Sequence, residues 1–320
     1  MSLAQVLDVI KDPGNSRIIL TAHYGPEGDS IGSQLAMYFL LRRSGKQVVI
    51  YNHDPVPGNL CFLDGVENIS SDIPEGIFDL GIVLDSADYD RIGRPKEFFK
   101  KMSNVLNIDH HVSNAGFGRI NFIDPEASSA SEMVYRIYKA MFTDIELSAA
   151  EAMYTGMYTD TGSFRYTATR ASTLAAASDL VSQGVEPDRI SRCVRSSLSC
   201  EDIVYVGSVL SQLRSSRCNK FFWCCIEKWK DDSNGDLTDV IFQNLQLIQG
   251  AEVFVLLKLI RPGMIRINFR SQGDIDVNKI AARFNGGGHK KAAGATVEGM
   301  GIQQVEEQVV AVVKDELDLL

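Results

Sequence analysis

Short apolar runs alternate with longer amphipathic stretches through the first half of the chain. Four runs rich in β-branched residues predict strands at 17–22, 47–51, 80–84 and 105–108. Apolar positions also recur three and four residues apart, which predicts helices at 30–43, 128–142 and 148–159. Strands that alternate with helices are typical of a parallel sheet covered by helices. The first half therefore predicts an α/β domain.

The pattern changes near residues 190–205, where Ser, Arg and Cys are frequent and no apolar period is visible. We place a linker at 191–205, between a first domain at 1–190 and a second domain at 206–320. In the second domain the apolar pattern predicts strands at 220–226, 252–259 and 264–269, and helices at 277–284 and 302–313. These elements predict a smaller mixed α+β domain, and we expect a cleft between the two domains.

Composition excludes several classes of protein. Hydrophobic residues make up 45% of the 320 residues and charged residues 23%, which excludes a disordered chain. The apolar stretches are shorter than the roughly 20 residues of a membrane span, so we expect no membrane association. Residues 1–12 lack a basic region followed by an apolar one, and the six cysteines form no C-x-x-C pair. We therefore expect a cytoplasmic protein with reduced thiols.

Charge is distributed unevenly along the chain. The net charge of −9 argues against broad binding of duplex nucleic acid. The segment 258–291 differs from this average, because it contains eight Lys or Arg residues and only two Asp residues. This local excess of positive charge predicts an anion site in the second domain.

Histidine and carboxylate residues follow the first predicted strand. His23, Glu27 and Asp29 lie in a Gly/Pro turn that leads into a helix. Ligands of open α/β sheets bind beyond the carboxyl ends of the strands, so these side chains could converge on a cation there. Alternatively, Asp29 or Ser30 caps the helix and Glu27 is a solvated loop charge.

Two further strand ends and one helix end add similar residues. Asp85 follows the third predicted strand, the tripeptide Asp109-His110-His111 ends the fourth, and Asp160 closes a helix before Gly162. Alone, Asp85 could be a turn residue and Asp160 part of a helix C-terminus. Together these residues would bring mixed His and Asp ligands to one edge of the sheet, as a site for manganese or a similar divalent cation requires.

These motifs, in this order, resemble the DHH phosphoesterase family, and more narrowly its NrnA-like oligoribonucleases. The resemblance continues in the second domain, where the segments 268–271 (Asn-Phe-Arg-Ser) and 286–289 (Gly-Gly-Gly-His) are similar to substrate-binding motifs of the DHH-associated domain. The resemblance implies an N-terminal parallel-sheet DHH domain that binds metal and a C-terminal DHH-associated domain that binds substrate.

The resemblance also implies roles for individual residues. One manganese ion would be held by His23, Glu27 and Asp85. The second would be held by Asp29, Asp85, His110 and Asp160, with Asp85 bridging the two ions. Asp85, Asp109, His110 and His111 would be the catalytic residues, with Asp109 orienting the histidines and His111 facing the substrate phosphate.

One motif departs from the family pattern. The first loop of the family normally contains H-x-N-P-D-G-D, whereas here Gly25 replaces the Asn and Glu27 replaces the first Asp. Glu has one more methylene group than Asp, so its carboxylate must fold back or move the metal. We expect the first metal site to be weaker, shifted or adapted to another substrate.

Arg270, Gly286, Gly287, Gly288 and His289 are the candidate substrate-binding residues. Glycines let a backbone approach phosphates closely, and Arg270 can bind them through its guanidinium. Alternatively, the glycines form a turn and the neighbouring lysines a solvated face.

The resemblance predicts a phosphoesterase that hydrolyses short oligoribonucleotides and 3′-phosphoadenosine 5′-phosphate (pAp) by two-metal activation of water. Its cofactors would be two divalent cations, manganese in the first place, with magnesium or cobalt as substitutes. Its partners would be short RNA or nucleotide substrates, and a homodimer is left open. The alternatives are a phosphodiesterase of cyclic or linear dinucleotides and a catalytically weak nucleotide-binding regulator. A dinucleotide-dependent oxidoreductase is excluded, because no G-x-G-x-x-G follows the first strand.

Overall fold

The chain divides after residue 197 into two units, Met1–Ser197 and Leu198–Leu320, in this computed structural model. The structure describes residues 2–195, 198–230 and 237–317. Most of the segment expected as a linker is helical, since one helix ends at Arg195 and the next begins at Cys200. Ser199 caps that second helix by accepting a hydrogen bond from the Asp202 amide at 3.1 Å. Residues 196 and 197 lie outside the described residues.

The first unit contains one parallel sheet with helices on both faces. Its strands are β1 (Arg17–Thr21), β2 (Gln47–Tyr51), β3 (Ile69–Ser70), β4 (Leu80–Leu84), β5 (Val105–Asp109) and β6 (Ile120–Ile123). Its helices are α1 (Leu3–Lys11), α2 (Gly28–Arg43), α3 (Lys96–Phe99), α4 (Ala130–Met141), α5 (Leu147–Asp160), α6 (Ala171–Ser182) and α7 (Pro187–Arg195). The order across the sheet is β3-β2-β1-β4-β5-β6. Successive strands are thus added outwards in opposite directions from the boundary between β1 and β4. In such sheets a crevice opens at this boundary, beyond the carboxyl ends of the strands, and it holds the ligand.

Helix α2 lies at the centre of the first unit and is buried along most of its length. It packs closely against α5, because two glycines lie at the contact. A Cβ atom on Gly32 would lie 2.3 Å from the carbonyl oxygen of Ala152. A Cβ atom on Gly156 would lie 1.9 Å from the hydroxyl of Ser131 on α4. The small residues therefore set the separation of the helices that carry Asp29 and Asp160.

The second unit contains a mixed sheet. Its strands are β7 (Arg214–Ser215), β8 (Phe221–Ile226), β9 (Val253–Arg261), β10 (Met264–Ser271), β11 (Gly287–His289) and β12 (Ala292–Glu298). Its helices are α8 (Cys200–Leu210), α9 (Leu237–Leu245), α10 (Val277–Ala282) and α11 (Ile302–Glu316). The order is β11-β12-β10-β9-β8-β7, and the pairing is antiparallel except between β8 and β9. The predicted fold class, a parallel-sheet α/β domain with a smaller mixed α+β domain, is confirmed.

Several elements were not predicted. Strand β12 was missed because its sequence is rich in Ala and Gly, although Ala293 and Ala295 are buried in the core. The short strands β3 and β6 lie at the two edges of the first sheet, and neither has a strong apolar alternation. In the described ranges we find no helix that is both long and apolar enough to cross a membrane.

Candidate metal centre

Seven His, Asp and Glu side chains gather at the carboxyl edge of the first sheet. Strand β1 leads to His23, β4 to Asp85, and β5 to His110 and His111. Glu27 and Asp29 lie at the beginning of α2, and Asp160 is the last residue of α5. Since β1, β4 and β5 are neighbours in the sheet, these ligand-bearing segments meet at the crevice beside β1 and β4.

Asp85 lies at the centre of this cluster. Both of its carboxylate oxygens are buried, and neither accepts a hydrogen bond from any residue that the structure describes. The Nε2 atom of His23 is 3.3 Å from Oδ2, and the Nε2 atom of His110 is 3.5 Å from Oδ1. A buried carboxylate without hydrogen bonds is costly unless a cation compensates it. The unsatisfied oxygens of Asp85 therefore fit a cation on each side of the carboxylate.

Asp85 also has an unusual backbone conformation. Its φ angle is 53°, in the left-handed region that residues other than glycine rarely adopt. Its amide donates a hydrogen bond of 3.0 Å to the carbonyl oxygen of Ile108 on the neighbouring strand. The sheet thus holds the residue where its carboxylate faces both His23 and His110, at a cost in backbone strain.

Three groups of side chains have ligand atoms within 4.8 Å of one another in the described part of the chain. They are His23, Glu27 and Asp85; Asp29, His110 and Asp160; and Asp85, His110 and His111. The first group contains the three residues expected at the first cation. The second contains three of the four expected at the second cation, and the fourth, Asp85, faces His110. The structure therefore brings the expected ligands together, and their individual roles remain predictions.

Hydrogen bonding prepares His23 for coordination. Its Nδ1 atom lies 2.8 Å from the carbonyl oxygen of Tyr24 and donates its proton to that oxygen, so in the neutral ring the free lone pair is on Nε2. Nε2 is the atom that faces Asp85 and, at 4.0 Å, Glu27. A ring N–H bound to a backbone carbonyl is the usual support of a metal-binding histidine. Glu27 is the most exposed of the seven side chains, since 66% of its side chain is accessible to solvent.

Asp29 is held by a different helix from its own. Its two carboxylate oxygens accept hydrogen bonds of 2.7 and 2.8 Å from the amides of Ala130 and Ser131, at the beginning of α4. The expected alternative of Asp29 as the cap of its own helix is wrong, because it lies within α2 and its carboxylate points at α4. Helix α4 thus fixes the position of this carboxylate with its positive end.

Negative charge is crowded in the cluster. Burial raises the pKa of Asp29 to about 8, and the Asp85 and Asp160 carboxylates add to this rise. Burial likewise raises the pKa of Asp160 to about 6. In the described residues no lysine or arginine forms an ion pair with Glu27 or with any of these three aspartates. Divalent cations would relieve this crowding, and oxygen and imidazole ligands suit manganese or similar ions.

Asp109 supports His111. The buried Asp109 carboxylate accepts a hydrogen bond of 2.7 Å from Nδ1 of His111 and one of 2.6 Å from the side-chain amide of Asn114. This hydrogen bond is the main cause of the raised pKa of His111. Asp109 was expected to orient both histidines, but of the two it contacts His111. His111 is 46% exposed, so its remaining ring nitrogen is available to a substrate.

The predicted substrate-binding residues of the second unit lie on β10 and β11. Register places His289 opposite Ala292 and Ala292 opposite Arg270, so these residues share one face of the sheet. The Arg270 guanidinium is partly engaged, since it forms an ion pair of 2.8 Å with Asp239. Gly287, Gly288 and His289 form an exposed edge strand, which differs from the turn considered as the alternative.

Comparison with known proteins identifies the family. Residues 17–157 match the DHH family, N-terminal domain, and residues 221–318 match the DHHA1 domain. The bifunctional oligoribonuclease and PAP phosphatase NrnA of Thermus thermophilus is 30% identical over 98% of this chain and 93% of its own length. The chain belongs to the DHH family. The NrnA protein of Bacillus subtilis is 29% identical, over 88% of this chain and 89% of its own.

Solved structures of DHH proteins have the same fold. An exopolyphosphatase-related protein from Bacteroides fragilis superimposes with a TM-score of 0.82 at 27% identity, over 99% of this chain and 95% of its own. The exonuclease RecJ bound to manganese gives a TM-score of 0.56 at 12% identity, over 100% and 97% of the two chains, which concerns the fold alone. As a DHH-family member, the protein is a phosphoesterase, and the histidine and carboxylate cluster suits the divalent cations on which that family depends.

Sequence reasoning missed the residues that support the DHH cluster. Asn114 donates hydrogen bonds to Asp109 and, at 2.7 Å, to the side-chain oxygen of Asn107. Thr159 packs against Gly28, where a Cβ atom would lie 2.3 Å from its hydroxyl oxygen. An Asn five residues after Asp109 and a Gly directly before Asp29 were the visible signals. Both are common loop residues, so neither is distinctive without the fold.

Proposed function

We propose that the protein is a manganese-dependent phosphoesterase that hydrolyses short oligoribonucleotides and pAp. The observation that carries the proposal is the carboxylate of Asp85, buried without hydrogen bonds between His23 and His110. Relatives that match nearly the full length of the chain are named as oligoribonucleases and PAP phosphatases, which supports this choice of substrates.

In this proposal His23, Glu27 and Asp85 hold one cation. The second is held by a group that shares Asp85 and adds Asp29, His110 and Asp160. Bound divalent cations supply Lewis-acid activation of water and neutralise the charge of the phosphate oxygens. The four carboxylates, which lack lysine or arginine partners in the described residues, are suited to balance two such cations.

His111 is the catalytic residue that faces the substrate. Asp109 fixes the Nδ1 proton of its ring, which leaves Nε2 to donate a hydrogen bond to a phosphate oxygen when the ring is protonated. The Asp109 hydrogen bond favours that protonated form, because it raises the pKa of His111. Asn114 holds the opposite side of the Asp109 carboxylate and so keeps His111 in place.

The second unit binds the phosphates and sugars of the substrate in this proposal. Strand β11 lies at the edge of its sheet, so alternate backbone N–H groups have no strand partner among the described residues. A Cβ atom on Gly288 would lie 2.5 Å from the carbonyl oxygen of Ala292, so glycine is needed for this close pairing. These N–H groups, with Arg270, Gly286, Gly287 and His289, form the proposed anion-binding surface.

The experiment measures manganese-dependent product release from a 5′-labelled RNA trimer and from pAp. Polyphosphate and a cyclic dinucleotide serve as comparison substrates. Asp85→Asn is tested beside Asp188→Asn, a change of the same kind at an exposed position on α7. We expect activity on both substrates, its loss in Asp85→Asn and its retention in Asp188→Asn.

Glu27→Asp tests the departure from the family motif. A shorter carboxylate restores the usual ligand, so we expect tighter manganese binding and higher activity at low manganese. Absence of activity on RNA and pAp, with polyphosphate or the cyclic dinucleotide hydrolysed instead, would overturn the proposed substrates. Full activity of Asp85→Asn would overturn the proposed site.

A further inference from the structure

Arg91 lies against the loop between β1 and α2, and it has no partner of opposite charge among the described residues. It is exposed in the turn after β4, and in the described residues its guanidinium forms neither an ion pair nor a hydrogen bond. The guanidinium carbon lies 4.9 Å from the centroid of the Tyr24 ring. Tyr24 directly follows His23, so this contact places the positive charge of Arg91 against the loop that carries His23 and Glu27.

The backbone of Arg91 is fixed from both sides. Its carbonyl oxygen accepts a hydrogen bond of 2.7 Å from the Tyr24 amide. Its own amide donates a hydrogen bond of 2.9 Å to the carboxylate of Asp88. The turn that carries Arg91 is therefore tied to the loop that carries His23 and Glu27, and the side chain begins from a defined point.

Neighbouring basic residues are already engaged. Arg94 donates to the carbonyl oxygen of His53, and Lys96 forms an ion pair with Asp90. Among the residues that the structure describes, Arg91 instead has an aromatic ring and no hydrogen-bond acceptor beside its guanidinium, which leaves its five N–H donors free for a ligand.

Glu27 lies in the same loop as Tyr24, and among the described residues no ion pair joins it to Arg91. The guanidinium of Arg91 therefore remains available to a ligand.

We propose that Arg91 binds a phosphate group of the substrate beside the first cation site, and that Tyr24 positions its guanidinium. A planar guanidinium suits phosphate oxygens, because it can donate two parallel hydrogen bonds. The inference rests on the proposed function, since it assigns a residue of the first unit to the recognition of that substrate. It implies that substrate phosphates are recognised in the first unit as well as on the second.

The test compares Arg91→Met and Arg91→Lys with Arg192→Met, a control that removes one exposed arginine from α7. The measurements are kcat and KM for pAp and the RNA trimer, the inhibition constant of AMP, and the melting temperature. Loss of a charge-assisted hydrogen bond should raise KM and the AMP inhibition constant about 10- to 100-fold in Arg91→Met. We expect a smaller effect in Arg91→Lys and none in Arg192→Met.

Further readouts separate substrate binding from a structural role. Added guanidinium ion should restore part of the activity of Arg91→Met, and the melting temperature should stay unchanged. Equal kinetic and inhibition constants in Arg91→Met and Arg192→Met would overturn the proposal, as would a lower melting temperature without rescue. Bis(p-nitrophenyl) phosphate serves as a general phosphodiester. If the wild type hydrolyses this ester but neither RNA nor pAp, the proposed function fails, and the effect of Arg91→Met on the ester still decides the role of Arg91.

Discussion

The contact between α2 and α5 leads to a quantitative prediction for Gly32→Ala. The added Cβ atom would lie 2.3 Å from the carbonyl oxygen of Ala152. Carbon and oxygen atoms in weak contact are usually about 3.3 Å or more apart, so the helices must separate by about 1 Å. The obstacle is backbone rather than a flexible side chain, and the strain cannot be relieved by a rotamer change.

The magnitude follows from two opposing effects. Overpacking of this kind costs about 1–3 kcal/mol, and the better helix propensity of alanine offsets about 1 kcal/mol of it. We expect a net loss of up to about 2 kcal/mol in Gly32→Ala, which lowers the melting temperature of the first unit by up to about 8 °C. Because the same helices carry Asp29 and Asp160, a shift of about 1 Å should also reduce activity about 100-fold.

Gly207→Ala is the matched control. Gly207 lies in α8, and a Cβ atom there would meet no described atom within 4 Å. The same substitution should therefore stabilise the second unit by up to about 1 kcal/mol. Scanning calorimetry and manganese titration of both variants check the prediction. A Gly32→Ala variant with the stability and manganese affinity of the wild type would refute the reasoning.

Three other variants and treatments have defined expectations. Removal of divalent cations with a chelator should lower the melting temperature, since a ligand at 100 times its Kd stabilises by about 2.7 kcal/mol, and Asp85→Asn should abolish this difference. Asn114→Ala should lower kcat about tenfold and leave manganese affinity unchanged in calorimetric titration, because it releases Asp109 but no expected ligand. Burial raises the pKa of Glu132, but hydrogen bonds from Arg136 and others lower it to about 2. Its stabilisation is therefore complete above pH 4.5 and lost as the pH falls towards 2. Glu132→Gln should remove up to about 3 kcal/mol at pH 7 and weaken this acid dependence in denaturant titrations, and an unchanged acid dependence would contradict the assignment.

The strands that carry the site could be predicted because they are continuous apolar runs in a buried parallel sheet. The ends of such strands were visible as abrupt changes to polar residues, and Asp85 and the tripeptide Asp109-His110-His111 lie at those changes. The structure places these residues where the strand-end rule expects them. Their assignment to particular cations stays a prediction.

The features of the fold and the site that could not be predicted depend on contacts between distant segments. Arg270 pairs with Asp239, which is 31 residues away, and nothing in the local sequence of β10 indicates this partner. Asp29 is held by amides of α4, about 100 residues further along the chain. Strand β12 lacks β-branched residues over most of its length, so its strand character results from pairing with β10 and β11. Local propensity cannot reveal interactions that arise only when the units fold.

The wide spacing of the cluster along the chain has a consequence for folding. His23, Asp85, His110 and Asp160 come from four segments that span most of the first unit, and neighbouring strands β1 and β4 are separated by two other strands in sequence. Contacts of such long range form slowly, because the loops between them must close first. A partly folded chain with only local helices cannot assemble the ligands. High-affinity cation binding should therefore appear late in refolding, together with the complete sheet, and can be used to time that event.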